Sequence, residues 1–314
     1  MSKQFENEHP SAYPFFGERE EGILGRRESF SNNAPIGIFD SGFGGLTVAR
    51  EIMKALPQES IIYFGDRKRC PYGPRSLTEV KEFVHEICEW LIARGVKMIV
   101  IACNTATAAG LAMAQQTFDV PVIGVVNPGA RAAARATRNR RVGVIATQGT
   151  VDSDVYTNAI RNIDAGITVF STATPRFVEI AELGIKMAKG PIENYTSLAS
   201  KVYIRPEFQE IAQDYLDQLR RCEIDTLVLG CTHFPLLKAL IGSVVGHNVV
   251  LISSATETAR DCCDLLTRQG ALCSSDHKPT YHFATTGEDI EEFREFGTRV
   301  LRFPLDDLEY VSLV

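Results

Sequence analysis

No stretch of this sequence approaches the roughly 18 uninterrupted apolar residues that a membrane-crossing helix requires. No Cys-x-x-C pair occurs among its cysteines, so the ligand spacing of a structural zinc site is missing. No run of Lys or Arg stands out, and the net charge of −6 argues against nucleic acid as the main partner. The glycine turn at 40–45 lacks the G-x-G-x-x-G register of a dinucleotide fold. Residues 1–33 are polar, without the apolar stretch and small-residue cleavage site of a secretory signal. A cytoplasmic protein is therefore expected. In that reducing compartment Cys70, Cys88, Cys103, Cys222, Cys231, Cys262, Cys263 and Cys273 should be free thiols, most of them packed as small hydrophobes.

What is present suffices for about two domains, with 45% hydrophobic residues for their cores. From Pro35 onward, short β-branched runs alternate with longer amphipathic stretches. Strands are expected at 36–39, 61–64, 98–102, 122–126, 142–146, 167–171, 226–230, 249–252 and 281–284. Helices are expected at 46–56, 77–94, 105–118, 153–162, 206–221, 235–244, 256–269 and 288–301. Such alternation predicts an α/β fold with parallel sheets covered by helices. There is also an internal echo. Lys97-Met-Ile-Val-Ile-Ala-Cys103-Asn-Thr and Asp225-Thr-Leu-Val-Leu-Gly-Cys231-Thr-His both read as buried strand, small residue, cysteine, polar pair, helix. Two similar lobes facing one another follow, the first from 35–126 plus 253–314, the second from 127–252. Residues 1–34 are expected as a flexible extension, and 185–206 as a surface insertion.

In parallel sheets ligands bind outside the carboxyl ends of the strands. Cys103 and Cys231 each fall at such an end and at a helix start, where free N–H groups and the helix dipole favour a thiolate. One cysteine so placed reads as well as a core thiol. Two in matched contexts favour chemistry. Asp40-Ser41 ends the first strand and Asp66 follows the second. After Asp66 comes the rigid loop Arg69-Cys-Pro-Tyr72-Gly73-Pro-Arg75, in which Cys70 reads as incidental.

Four motifs, in order, sharpen this pattern: Asp40-Ser-Gly-Phe-Gly-Gly-Leu-Thr-Val, Pro71-Tyr-Gly-Pro-Arg-Ser, Ala102-Cys-Asn-Thr-Ala and Leu229-Gly-Cys-Thr-His-Phe-Pro-Leu-Leu237. With Thr280-Tyr-His-Phe-Ala-Thr-Thr-Gly-Glu they resemble the glutamate racemases from residue 36 almost to the C-terminus. The resemblance implies cofactor-independent racemisation, with Cys103 taking the α-proton of D-glutamate and Cys231 that of L-glutamate. It implies Asp40 beside the first thiol, His233 beside the second, and Asp66 and Glu182 as further catalytic acids, with Glu179 three residues from Glu182 as its competitor. Asp40, Ser41, Tyr72, Gly73, Asn104, Thr105, Thr147, Thr150, Thr232 and His233 would hold the substrate. A homodimer, a cell-wall precursor as activator acting through the N-terminal extension, and supply of D-glutamate for peptidoglycan complete the implication.

Two-base chemistry suits such residues. An amino-acid α-proton is a very weak acid, so its removal needs a placed base and neighbouring donors for the developing charge. Inversion in place needs a second acid on the opposite face. Other readings stay open on the residues alone. They are a related racemase or isomerase for aspartate, a hydantoin or a maleate-like acid, a non-catalytic two-lobe carboxylate binder, and a redox or metal protein.

Overall fold

In the computed structural model, residues 31–187 and 205–313 are described. They form two wholly parallel sheets. The first runs β10-β9-β2-β1-β3-β4, built from β1 (Ile36–Asp40), β2 (Ile61–Gly65), β3 (Met98–Ile101), β4 (Val122–Gly124), β9 (Tyr281–Thr285) and β10 (Leu308–Tyr310). The second runs β6-β5-β7-β8, from β5 (Arg141–Ala146), β6 (Thr168–Ala173), β7 (Thr226–Gly230) and β8 (Val250–Ser253). In each sheet the central strands are buried throughout and mostly apolar, since both faces are covered.

The crossover helices explain the covering. In α2 (Leu77–Ile92) the buried residues Val80, Val84, Ile87, Cys88 and Leu91 recur at helical spacing along one face. Its start is fixed by Ser76, whose hydroxyl accepts from the Glu79 N–H at 3.2 Å. Helix α2 packs beside α3 (Asn104–Thr117) on one side of the first sheet, and α1 (Leu46–Ala55) beside α10 (Ser254–Gln269) on the other. In the second lobe α4 (Val126–Ala136) lies against α6 (Val155–Ile163), and α8 (Pro206–Arg221) against α9 (Lys238–Val245). The remaining helices are α5 (Gln148–Asp152), α7 (Arg176–Met187) and α11 (Ile290–Leu301). One apolar core joins both sheets. Ile36, Ile38 and Phe43 share it with Leu227, Leu229 and Phe234, and Phe43 stacks on Phe296 with ring centroids 4.1 Å apart.

Several expected boundaries move. The strand at 122–126 stops at Gly124, because Val126 already opens α4. A proline in the first turn needs no intrahelical N–H partner, so Pro128 is tolerated there. Helices α4, α5 and α7 and the edge strand β10 had no counterpart among the expected elements. The expected helix at 235–244 begins as a 3₁₀ turn, Phe234–Leu237, before α9. Ser253 belongs to β8 in the second sheet, one residue beyond the expected lobe border. The insertion expected at 185–206 is helical at its ends, Met187 closing α7 and Pro206 opening α8, while 188–204 lies outside the described residues.

Of the expected extension, 1–30 also lies outside the described residues, whereas 31–34 is tied to the first lobe. The Asn32 amide donates to Gly270 O at 3.0 Å, and Lys97 Nζ donates to Asn32 O at 2.5 Å and Ala271 O at 2.7 Å. Lys97 also pairs with Glu59 at 2.6 Å, and both side chains are almost fully buried. Removing one partner of a buried pair leaves the other charge uncompensated. Lys97→Met should therefore destabilise the fold by about 3–5 kcal/mol. Adding Glu59→Gln should recover part of that loss, as read by urea denaturation of both variants.

Candidate active site

Every expected site residue except Glu182 lies at or just beyond the carboxyl end of a strand, or in the loop that follows one. Asp40 closes β1, Asp66 follows β2, Cys103 follows β3, Thr147 follows β5 and Cys231 follows β7. The two sheets turn these ends towards each other, and the contact is close because two positions carry no side chain. A Cβ on Gly44 would come within 2.3 Å of Thr232 Oγ1 and 2.6 Å of His233 Nδ1. A Cβ on Gly73 would come within 2.7 Å of the Thr147 Cβ, and Gly149 N donates to Gly73 O at 2.9 Å.

Polar groups then bond across the lobes. Thr232 Oγ1 donates to Asp40 Oδ1 at 3.2 Å, and Thr47 Oγ1 donates to Thr232 O at 3.2 Å. Thr105 Oγ1 lies 2.9 Å from Thr147 Oγ1 and 3.1 Å from Thr150 Oγ1, a cluster of three hydroxyls drawn from both sides. Tyr156, on α6, donates to Asn104 Oδ1 at 2.7 Å. That bond fixes the Asn104 amide, whose buried Nδ2 has no protein partner and is left as a donor for a ligand. Tyr156 was not among the expected residues, since an aromatic on a helix reads first as core.

Around the first thiol, Cys103 Sγ lies 3.8 Å from Ser41 Oγ. Burial pushes this thiol well up, and the neighbouring Asp40 and Cys231 charges push it further, while the Ala106 N–H at the start of α3 pulls it down. The expectation that the helix terminus would favour a thiolate is thus outweighed by desolvation. Asp40 is raised in turn by its own burial, against the lowering effects of His233 and of the Gly45 and Gly42 N–H groups. Two buried acids side by side do not both ionise, so Asp40 and Cys103 act as a coupled pair.

The second thiol is placed differently. Cys231 precedes a turn and the 3₁₀ segment, so it lacks the α-helix start expected for it. It has a histidine instead. Cys231 Sγ lies 3.8 Å from His233 Nδ1, and His233 Nε2 lies 3.2 Å from Glu182 Oε1. Burial disfavours the imidazolium, but bonds to Cys231 and Glu182 override it and lift His233 to about 10. Glu182 is lowered despite its burial, by the hydrogen bond from His233 and by the His233, Arg67 and Lys186 charges. Glu182, on α7, is therefore the acid that meets the histidine, and Glu179 on the same helix is exposed.

Asp66 is occupied. It accepts from Arg69 Nε at 2.6 Å, from Thr286 Oγ1 at 2.7 Å and from the Tyr72 hydroxyl. The Tyr72 hydroxyl thus holds the loop, and Gly73 rather than the phenol faces Thr147. Among the described residues no cluster of three or more His, Cys, Asp or Glu is arranged to hold a metal ion.

The Asp/Glu/hydantoin racemase model matches residues 44–262 of the sequence. This chain belongs to that family. Glutamate racemase of Exiguobacterium sibiricum is 44% identical over 273 residues, which are 87% of this chain and 94% of that protein. Among solved structures, glutamate racemase isoform RacE1 from Bacillus anthracis superposes with a TM-score of 0.80 at 40% identity, covering 90% of this chain and 98% of that one. The Francisella tularensis glutamate racemase in complex with D-glutamate gives 0.77 at 34% identity, with the same coverage of both chains. The Escherichia coli glutamate racemase in complex with L-glutamate and the activator UDP-MurNAc-ala gives 0.66 at 28% identity, covering 90% and 99%. Within the racemase family, this chain has the two-lobe fold, and it is an isomerase.

The electrostatics of the Cys231 side give a direct expectation. The Glu182 carboxylate helps hold the proton on His233, so Glu182→Gln removes both a charge and an anionic acceptor. The His233 titration, followed by NMR of the ring, should move down from about 10 in that variant. An unmoved titration would mean that Glu182 does not control the imidazole.

Proposed function

We propose that this chain interconverts L- and D-glutamate without a cofactor, by proton transfer between Cys103 and Cys231. Glutamate as substrate is what its racemase relatives support, including one solved with D-glutamate bound. The observation that carries the two-thiol reading is that Cys103 and Cys231 each follow a strand at the cleft between the lobes, with Ser41 beside one sulfur, His233 beside the other, and Thr232 bonded to Asp40 between them.

The chemistry follows from those partners. One thiolate takes the α-proton while the opposite thiol delivers its own to the other face, so each turnover exchanges the states of the two cysteines. Cys103 is assigned to D-glutamate and Cys231 to L-glutamate. Asp40 takes up and returns charge beside Cys103, and His233, held by Glu182, does so beside Cys231. A positioned acid or base contributes roughly 10²–10⁴-fold. Ser41, Asn104, Thr105, Thr147, Thr150, Thr232 and the Tyr72-Gly73 backbone are assigned to holding the substrate's carboxylates and ammonium. The free Asn104 Nδ2 and the threonine hydroxyl cluster support that assignment. Asp66 is assigned a positioning role instead of the catalytic one, because its oxygens are occupied by Arg69, Tyr72 and Thr286. A division into two lobes near the expected borders, with Ser253 in the second lobe, a homodimer, a cytoplasmic location and D-glutamate supply for peptidoglycan belong to the same proposal. No described helix is long and apolar enough to cross a membrane.

Cys103→Ala and Cys231→Ala should each nearly abolish racemisation of both enantiomers, measured as optical rotation change and as deuterium uptake at the α-carbon in heavy water. Turnover near the wild-type rate by either folded variant would overturn the two-base reading. By likeness to the Escherichia coli complex, a cell-wall precursor is the candidate activator. Deleting residues 1–33 should remove its effect on the kinetics, and a response identical in both chains would dismiss a role for that segment.

A further inference from the structure

Arg67 stands outside the motifs that mark the site, yet it reaches both sides of it. It follows Asp66 at the end of β2, and its guanidinium lies 3.9 Å over the Phe43 ring. Its Nη1 donates to Glu182 Oε1 at 3.1 Å, and the same Glu182 oxygen lies 3.2 Å from His233 Nε2. Its Nη2 reaches Glu292 on α11 at 3.5 Å. Nη1 also approaches Cys70 Sγ at 4.0 Å. The guanidinium is about one-fifth exposed, held between an aromatic face and two carboxylates. It lies in a chain of contacts that runs from Cys231 through His233 and Glu182 to Arg67 and on to Cys70.

We propose that Arg67 is a positioning residue for racemisation: its guanidinium holds the Glu182 carboxylate in register with His233 and so sets the imidazole presented to Cys231. The inference rests on the two-thiol reading. A planar guanidinium stacked on Phe43 has fixed donor directions, which a carboxylate on a helix side chain needs if it is to point at one nitrogen. Without the cation, Glu182 faces a buried imidazole with Lys186 as its only other cationic neighbour among those that shift it. Lys186 itself is half exposed and paired with Glu292 at 2.5 Å. The charged and titratable groups around this carboxylate are therefore His233, Arg67 and Lys186, with Glu292 and Cys70 facing Arg67, and Cys231 and Asp40 facing His233.

The sign follows. Arg67 helps keep Glu182 ionised, so its loss moves the carboxyl to a higher pKa. The acidic limb of kcat/KM against pH then shifts upward. The two enantiomers have equal free energy, so kcat/KM must fall by the same factor in both directions. For Arg67→Met a loss of roughly tenfold or more is expected, the value of one charge-assisted hydrogen bond expressed at the reacting group. Arg67→Lys keeps the cation and should return the limb to its wild-type position.

The experiment is the pH profile of kcat/KM for both enantiomers in wild type, Arg67→Met and Arg67→Lys, with Cys231→Ala alongside. The folded fraction of each variant is followed by circular dichroism over the same pH range, so that a limb set by acid unfolding is told apart from one set by Glu182. An upward shift in Arg67→Met, reversed in Arg67→Lys, is the expected result. An acidic limb unmoved in Arg67→Met, whatever its rate, overturns the inference, and so does a Lys variant that behaves as the Met variant. If Cys231→Ala retains turnover, the two-thiol reading itself fails, and that outcome is separate from the behaviour of Arg67.

Discussion

The close approach of two sheet ends is the constraint on which everything else depends. Thr232 and His233 enter the first lobe's turn only because Gly44 has no Cβ, and Thr147 meets the 72–73 loop only because Gly73 has none. Contact at these two points puts hydroxyls and a carboxylate from separate lobes within hydrogen-bonding distance. It also removes them from water. Burial then governs every ionisable group in the cleft, raising Asp40 and Cys103 and opposing the charge on His233.

The site's answer to that burial differs on its two sides. On the Cys103 side, Asp40 and the thiol are two buried acids, each raised by its desolvation. On the Cys231 side, a cation and an anion face one another. His233 and Glu182 hold a buried charge pair that Arg67 and Lys186 extend to the rim. Such an asymmetry is compatible with a reaction that is symmetric in energy, since each side needs only to gain and lose one proton. The protein pays for it in buried polarity, which the packed apolar core shared by both sheets must carry.

The central strands of both sheets were legible because buried parallel strands are short, largely apolar runs, as in Ile36–Asp40 and Thr226–Gly230. The edge strand β10, with Leu308, Glu309 and Tyr310, carries no such run and becomes a strand only by pairing with β9. Helix α4 was hidden by Pro128 and Gly129, which read as breakers although one falls in a first turn and the other packs against Tyr156 and Ser254. Helix α7 follows Pro175, and there the family resemblance favoured Glu182 while local pattern left Glu179 as its competitor.

What the sequence determined alone was the α/β class, the repeated strand–cysteine unit and the family, because local periodicity and short motifs carry that information. That Glu182 meets His233 directly, that Asp66 is occupied by Arg69, Tyr72 and Thr286, that Tyr156 orients Asn104, and that Arg67 joins Glu182 were decided only by tertiary structure. Each is a contact between segments far apart in the chain or a choice between equivalent side chains. No local pattern fixes such contacts, since they depend on how two sheets are rotated against each other.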